Sequence, residues 1–252
     1  MEWRLIEQET YNAAMNMAID EAICESVAAN EQLPTIRFYK WKNNSVSIGS
    51  YQNQCEINLE LCRKNNIDVV RRITGGRAVY HDKRDFTYSV IAPIKIFDNS
   101  IKSAYGEICC WIINALREIG IRSRLENKND IMIHGKKISG NAAKLIDNKI
   151  YLQHGTLVYD IDFELMPKIL KISEKLAREK IASISEFKKI NQNKVYEALK
   201  TSFIKNKHVK AQKFSGEELD YTAKLAQAKY NSLDLKDTIL KNKGACYILS
   251  GN

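Results

Sequence analysis

The amino-acid sequence predicts an α+β fold, with a mixed or antiparallel β-sheet core flanked by helices. Three observations carry the prediction. Strand-like and helical segments come in blocks, strands then helices, strands again and helices last. Two short turn pairs in the middle of the chain, His134-Gly135 and Asp147-Asn148, each sit between β-type runs and suit tight hairpins. Apolar residues recur at helical spacing over residues 12–28 and 101–119, giving two substantial helices to pack on the strands.

The elements follow in order. A first strand covers residues 3–6, and the helix after it takes its period from Ala14, Met17, Ala18, Glu21, Ala22 and Val27. Strands at 35–41 and 45–49 are split by Lys42-Asn43-Asn44, a turn by composition. A short helix is expected over 57–65, a strand over 67–70, a β-rich stretch over 86–91 and the longer helix over 101–119, ending near Gly120. Strands at 130–133 and 136–139 flank the first hairpin pair, and strands at 141–146 and 149–159 flank the second. From Asp162 the chain turns helical and charged, with one strand candidate at 208–214. Ser215-Gly216-Glu217-Glu218 then has the spacing of a helix capping box. A small subdomain from about residue 175 fits this pattern.

The chain has 252 residues, long enough for one large or two small domains, and an apolar share of 44% suits a globular core. No apolar run approaches the ~18 residues of a membrane span. The first residues, Met1-Glu2-Trp3-Arg4-Leu5, have neither the basic nor the apolar region of a secretory signal, so the expected location is the cytoplasm. The six cysteines, at 24, 55, 62, 109, 110 and 246, form no C-x-x-C pair and read as buried small apolar residues. The 39 Lys and Arg exceed the 30 Asp and Glu, giving a net charge of +9. Because these lysines are scattered rather than packed in one tract, an acidic protein partner is favoured over nucleic acid.

Residues 71–82, Arg-Arg-Ile-Thr-Gly-Gly-Arg-Ala-Val-Tyr-His-Asp, carry the most chemistry. Paired glycines let backbone N–H groups approach an anion closely, and flanking arginines offer forked donors for phosphate or carboxylate. The same residues also fit a plain β-hairpin with a Gly-Gly turn and arginines on a solvated face. A second segment bears on that choice: residues 129–143 read Asn-Asp-Ile-Met-Ile-His-Gly-Lys-Lys-Ile-Ser-Gly-Asn-Ala-Ala, with Gln153-His154-Gly155-Thr156-Leu157 after it.

Together these segments resemble the lipoate–protein ligase A family, within the biotin/lipoate ligase and octanoyltransferase superfamily. The family pattern runs Arg-Arg-x-x-Gly-Gly-Gly-Ala-Val-x-His-Asp, Asn-Asp, Lys-Ile/Val-x-Gly-x-Ala and His-Gly-x-Leu. This chain follows that order, and adds Asn16-Met17-Ala18-Ile19-Asp20-Glu21-Ala22, Ile36-Arg37-Phe38-Tyr39 and Ser47-Ile48-Gly49-Ser50-Tyr51-Gln52. The resemblance implies a biotin/lipoate ligase catalytic-domain-like fold over residues 1–235, a tail over 236–252, and no C-terminal accessory domain, as in archaeal split ligases.

It also implies the reaction: ATP-dependent activation of lipoate or octanoate to the acyl-adenylate (lipoyl-AMP for lipoate), with Mg2+, and transfer to a lysine of lipoyl domains. The implied partners are acidic lipoyl-domain proteins, namely E2 subunits and the glycine cleavage H protein, together with a separate small accessory subunit. Neither nucleic acid nor a membrane is expected. Lys137 matches the family lysine that contacts both acyl carboxylate and α-phosphate. Arg71, Arg72, Thr74, Gly75, Gly76, Arg77, Ala78, Val79, Tyr80 and His81, with Gly140, His154 and Gly155, match positions around nucleotide and acyl-adenylate.

Asn129 and Asp130 suit a Mg2+ contact, since Mg2+ takes one or two carboxylates plus phosphate oxygens. Asp82 either orients His81 or caps the loop. Val79, Ile138, Ala142 and Leu157 are candidates to line a tunnel for an eight-carbon chain.

One departure matters. Where the family has three glycines, the third here is Arg77, a variant that resembles octanoyltransferases acting through a cysteine thioester with octanoyl-carrier protein. Those enzymes need a cysteine about fifteen residues before the lysine, and residues 121–130 contain none. Octanoyl transfer is thus the alternative to ligation, and a non-enzymatic basic binding module the second alternative.

Overall fold

The computed structural model describes residues 1–126 and 129–231. The expected tail at 236–252, the last residues of the expected 1–235 unit and Cys246 lie outside the described residues. The chain starts with β1 (Glu2–Tyr11), followed by α1 (Ala13–Ala28), whose N-cap Asn12 accepts from the Met15 N–H. β2 (Thr35–Trp41), β3 (Ser45–Ile48), α2 (Leu59–Lys64), β4 (Asp68–Arg71), β5 (Val79–His81) and β6 (Phe86–Pro93) follow. Next come α3 (Ile101–Glu118), β7 (Arg124–Glu126), β8 (Asp130–Ile133), β9 (Lys136–Ile146) and β10 (Ile150–Leu157). The rest holds α4 (Met166–Leu170), α5 (Glu174–Lys180), α6 (Ile184–Phe187), α7 (Gln192–Ile204), β11 (His208–Ala211) and α8 (Gly216–Leu225).

Among the described residues two sheets form. The larger has eight strands in the order β11-β1-β2-β6-β10-β9-β8-β7, and the smaller has β4-β3-β5. The large sheet is mixed: β1 is parallel to β11 and β2, while β2, β6, β10, β9, β8 and β7 pair antiparallel in turn. Both expected hairpins form. His134 (φ 47°) with Gly135 (φ 77°), and Asp147 (φ 48°) with Asn148 (φ 55°), put positive φ at both turn positions, matching the twist of the flanking strands. Residues 136–139 and 141–146, expected as two strands, are one continuous β9.

Alternation along β2 divides its side chains between layers. Ile36 and Phe38 enter the main core with Trp111 and Ile112 of α3 and Leu199 and Phe203 of α7, while Tyr39 and Trp41 pack toward Met17 and Ala18 of α1. The small sheet has its own core, where Val46, Ile48 and Tyr80 meet Cys62 of α2 and Ile169 of α4. The residues expected as a subdomain from about 175 enter the same body. β11 pairs with β1, α7 packs against the α3 layer, and Glu218 of α8 bonds the buried Arg4 of β1 at 2.5 and 3.0 Å. Ser215 forms the expected capping box at the start of α8.

The plain hairpin reading of residues 71–82 is corrected by this topology. β4 and β5 do not pair with each other; both pair with β3, β4 in parallel and β5 antiparallel. The Gly-Gly loop therefore passes over the end of β3 and faces the large sheet.

Cysteines also depart from the expectation. Cys24, Cys62 and Cys109 are buried, but Cys55 and Cys110 are exposed. Cys110 follows Cys109 on α3, so the helical turn carries it away from the sheet.

Candidate functional site

The space between the two sheets holds a cleft. Its floor is Met17 of α1, Tyr39 and Trp41 of β2 and Thr87 of β6. Its walls are Ser47 and His81 of the small sheet, and Ala142, His154 and Thr156 of β9 and β10. Arg72, Gly76, Arg77, Ala78 and Val79 close one side. A second cavity adjoins it, sharing Ala78, Val79, Lys137, Gly140 and Thr156. That cavity runs to Val158, Ile161, Met166, Leu170 and Ile181, with Asp82, Asp85 and Asp160 at its edge.

Arg72 organises the loop. Its guanidinium donates to the Ser47 carbonyl (2.9 Å), the Ser47 hydroxyl (3.2 Å), the Gly75 carbonyl (2.7 Å) and the Arg77 carbonyl (2.8 Å). Burial lowers it to about 10, so it stays a cation at neutral pH. Among the described residues it has no carboxylate partner, and a buried charge without a counter-ion is costly unless a ligand supplies one. Arg71 does something else. It donates to the carbonyls of Gly49 (2.8 Å) and Gln52 (2.7 Å), bracing the turn after β3, and lines neither cavity. Gly76 takes φ +98°, the left-handed region open to glycine.

Two histidines sit in fixed frames. His81 stacks on Trp41 at 4.1 Å and holds the Ser47 hydroxyl (2.8 Å) and the Thr156 hydroxyl (3.1 Å). Burial, reinforced by the Arg72 charge, pushes it well below the usual histidine range, so it is neutral. Asp82 does not orient it. That carboxylate accepts instead from the Arg84 backbone N–H (2.9 Å) and its Nε (2.7 Å), leaving the capping alternative.

His154 lies between the Thr74 hydroxyl (2.7 Å) and the Asp20 carboxylate (3.2 Å). The arrangement has the order of a catalytic triad, but Thr74 is fully buried and lines neither cavity, so its hydroxyl cannot meet a substrate. It holds the ring instead. Burial would raise the Asp20 carboxyl, but the His154 hydrogen bond and the Arg37 charge outweigh it and hold it below its ordinary value. Arg37 reaches Asp20 at 2.8 Å, and Ser89 donates to it at 2.9 Å.

Lys137 lies where the two cavities meet. The β8–β9 register slips between Ile131 and Met132, so one residue of β9, Ile138, is left over as a bulge beside Lys137. The ammonium pairs with Asp130 at 2.7 Å. It also lies against Gly140, where an added Cβ would come within 2.7 Å of Lys137 Cε and 2.8 Å of Nζ. Lys136 points away, onto a surface patch with Glu174 and Arg178.

Of the other expected residues, Asn129 and Gly155 line the first cavity and Tyr80 lines the second. Gly75 contributes its carbonyl to Arg72. Of the four tunnel candidates, Val79 and Ala142 line the cleft, whereas Ile138 and Leu157 are buried in the main core. Strand alternation explains this, since each lies next to a cleft-facing neighbour and so faces the opposite way.

The residues not foreseen are Met17, Tyr39, Trp41, Ser47, Thr87, Asn141 and Thr156 in the cleft, and the Asp20 carboxylate beneath it. Met17, Asp20, Tyr39, Ser47, Asn141 and Thr156 stand inside the noted sequence motifs, which was the available signal. The walls from Val158 to Ile181 carry none.

Among the described residues no thiol lines either cavity. Cys109 is buried beside Gln153 (3.8 Å) and burial pushes its thiol up to about 12, far from a reactive thiolate. Among the described residues no group of three His, Cys, Asp or Glu side chains is placed to hold a metal. Asp130 with Asn129 leaves one carboxylate at the junction, enough for Mg2+ only where phosphate oxygens complete its shell. No described helix is long and apolar enough to cross a membrane.

An apolar-floored cleft with a buried cation and a lysine at its mouth suits a hydrocarbon tail with an anionic head. That defines the class: an α+β enzyme that handles an acyl group. The model of the lipoyl protein ligase A/B catalytic domain matches residues 12–204, and the chain belongs to that family. It is 38% identical over 192 residues to octanoyltransferase LipM of Clostridioides difficile, covering 68% of this chain and 70% of the relative. It is 30% identical over 268 residues to octanoyltransferase LipM of Bacillus subtilis, covering 91% and 96%.

Among solved structures, a lipoate-protein ligase A bound with ATP superposes with a TM-score of 0.79 at 30% identity, covering 90% of this chain and 95% of that one. A bipartite lipoate protein ligase from Thermoplasma acidophilum gives 0.79 at 30% identity, covering 90% and 92%.

Proposed function

We propose that this protein activates lipoate or octanoate with ATP and transfers the acyl group to the lysine of a lipoyl domain. The observation that carries this reading is the position of Lys137, at the junction of two cavities in which, among the described residues, no thiol stands. The acyl tail enters the first cavity toward Trp41 and Met17. The nucleoside takes the second, where Asp82 and Asp160 would repel phosphates but accept from sugar hydroxyls and a base amino group.

In this arrangement an acyl carboxylate oxygen attacks the α-phosphorus and pyrophosphate leaves. Lys137 and Arg72 place positive charge on the oxygens that gain it. The acceptor lysine amine then attacks the acyl carbonyl and AMP leaves. Mg2+ at Asp130 and Asn129 would neutralise phosphate charge.

Lipoate-dependent exchange of pyrophosphate into ATP by the purified protein tests this. Exchange, followed by a mass increase of a lipoyl domain, is expected; acyl transfer from octanoyl-carrier protein without ATP overturns it. That second reading is favoured by one observation, the octanoyltransferase names of the sequence relatives. The T. acidophilum neighbour is bipartite and accompanied by its E2 lipoyl domain. By that likeness we assign this chain a separate small subunit and an acidic lipoyl-domain acceptor, drawn by the +9 charge.

A further inference from the structure

Behind Lys137 a buried chain of hydrogen bonds runs from the core to the segment that carries Asp130. Tyr151 donates to the Gln153 side-chain oxygen (2.7 Å), Gln153 Nε2 donates to the Tyr88 hydroxyl (3.2 Å), and Tyr88 donates to Asn141 Oδ1 (2.5 Å). Asn141 Nδ2 then donates to the Asn129 carbonyl (3.0 Å), the Asn141 backbone N–H donates to that same carbonyl (3.2 Å), and Asn129 Nδ2 returns a bond to the Asn141 carbonyl (3.2 Å). Space is reserved for this chain. A Cβ on Gly155, opposite Asn141 in the β9–β10 pairing, would collide with Asn141 Oδ1 and come within 2.9 Å of the Tyr88 ring and hydroxyl.

We propose that Asn141, held by Tyr88, is a positioning residue for Lys137. By clamping Asn129 it fixes the start of β8, and so the Asp130 carboxylate against which the ammonium is aimed. Three features favour this over a purely structural role. Asn141 lies one residue from Gly140, against which the lysine side chain rests. Its bonds span from β9 to the residue before Asp130, so they bridge the two strands at the site. Its amide is satisfied only in one orientation, since Tyr88 supplies a donor on one side and Asn129 an acceptor on the other.

The inference rests on the adenylation reading, and its test separates the two. Binding of a non-reactive lipoyl-adenylate analogue, the sulfamate, is measured by calorimetry for the unmodified protein, Asn141→Ala, Tyr88→Phe, Lys137→Ala and the Asn141→Ala/Lys137→Ala double variant. Thermal unfolding of each is followed in parallel. Asn141→Ala and Tyr88→Phe are expected to weaken binding about tenfold, in the range for lost buried hydrogen bonds that orient a ligating group. The double variant is expected to bind no more weakly than Lys137→Ala alone, because the residue acts through the lysine.

Additive losses in the double variant, or unchanged binding in both single variants, would overturn the positioning role. Since Tyr88→Phe removes only a hydroxyl, its result stands even where Asn141→Ala fails to fold. Absence of binding by the unmodified protein removes the adenylation reading and this inference with it.

Discussion

The carbonyl oxygen of Gly76 occupies the space that a Cβ on Gly49 would fill. The turn after β3 and the Gly-Gly loop are therefore in backbone contact. The Ser50 N–H donates to the Thr74 carbonyl (2.9 Å) beside that contact, and Arg71 braces the same turn. Gly49→Ala must push the loop away, and the neighbour that has to give is backbone rather than a pliable side chain. The expected outcome is a loss of about 1–3 kcal/mol in unfolding free energy, typical of overpacking. Acyl-adenylate formation should fall more than the loss of folded protein explains. Unfolding curves and pyrophosphate exchange on the same preparation check this; full exchange activity in a stable Gly49→Ala would show that the loop's position is not critical.

Removing the lysine charge tests the central assignment. Lys137→Ala is expected to lower exchange by about 100- to 1,000-fold, the cost of losing a group aimed at developing charge. Lys136→Ala, on the outer face beside Glu174, is expected to retain most activity. Equal losses in the two variants would remove the distinction.

How much of this was legible in the sequence depends on how local each signal is. The Ser215 capping box and the two hairpin turns rest on residues within a few positions of one another, and they form as expected. Lys137 and Gly140 were marked by resemblance to a short family motif, Lys-Ile-x-Gly-x-Ala, in which they stand close together in the chain. Arg71 and Arg72 look equivalent in the chain, yet adjacent residues on an extended backbone point opposite ways, so only one reaches the cleft. That choice depends on which face of β4 meets the large sheet. The placement of β3 between β4 and β5, and the walls of the second cavity from Val158 to Ile181, are set by long-range packing for which no local pattern exists. Asp20 stood in a noted motif, but its partners Arg37, Ser89 and His154 come from three different strands.

The thiol question has a direct readout. Cys55→Ser, Cys110→Ser and Cys109→Ala are each expected to retain ATP-dependent transfer, since none of these residues lines a cavity. Intact-mass spectrometry after incubation with octanoyl-carrier protein should show no acyl adduct. A thioester on any cysteine, Cys246 included, would assign the chain to carrier-dependent octanoyl transfer.

His81 gives a pH signature. Its folded value lies well below the unfolded 6.5, so it stays neutral in the native state while the unfolded chain takes up a proton below that pH. Its contribution is fully present above pH 6.5 and is lost as the medium is acidified through that value. At pH 5.5 the expected loss from this one group is about 1.4 kcal/mol relative to pH 7.5. Burial pushes Asp85 up to about 8, which changes stability in the opposite sense over the same window, so denaturant unfolding at the two pH values isolates His81 only by comparison. The loss on acidification should be smaller in His81→Gln than in the unmodified protein by about 1.4 kcal/mol, whatever the variant's own stability. An unchanged pH slope in His81→Gln would mean that His81 takes up its proton while folded.

Gly140 separates activity from folding. A Cβ there meets only the far end of the Lys137 side chain, 2.7 Å from Cε and 2.8 Å from Nζ, and no backbone atom. A flexible chain can swing aside at little cost to stability, so Gly140→Ala is expected to unfold within about 1 kcal/mol of the unmodified protein. The ammonium, however, must leave its place between Asp130 and the cleft. A displacement on the order of 1 Å in a charge-stabilising group costs about 100-fold in rate. Exchange should therefore fall by that order while the unfolding midpoint barely moves. A Gly140→Ala variant with normal exchange would place the working position of Lys137 elsewhere than over Gly140, and a variant that unfolds early would show that the glycine serves β9 itself rather than the lysine.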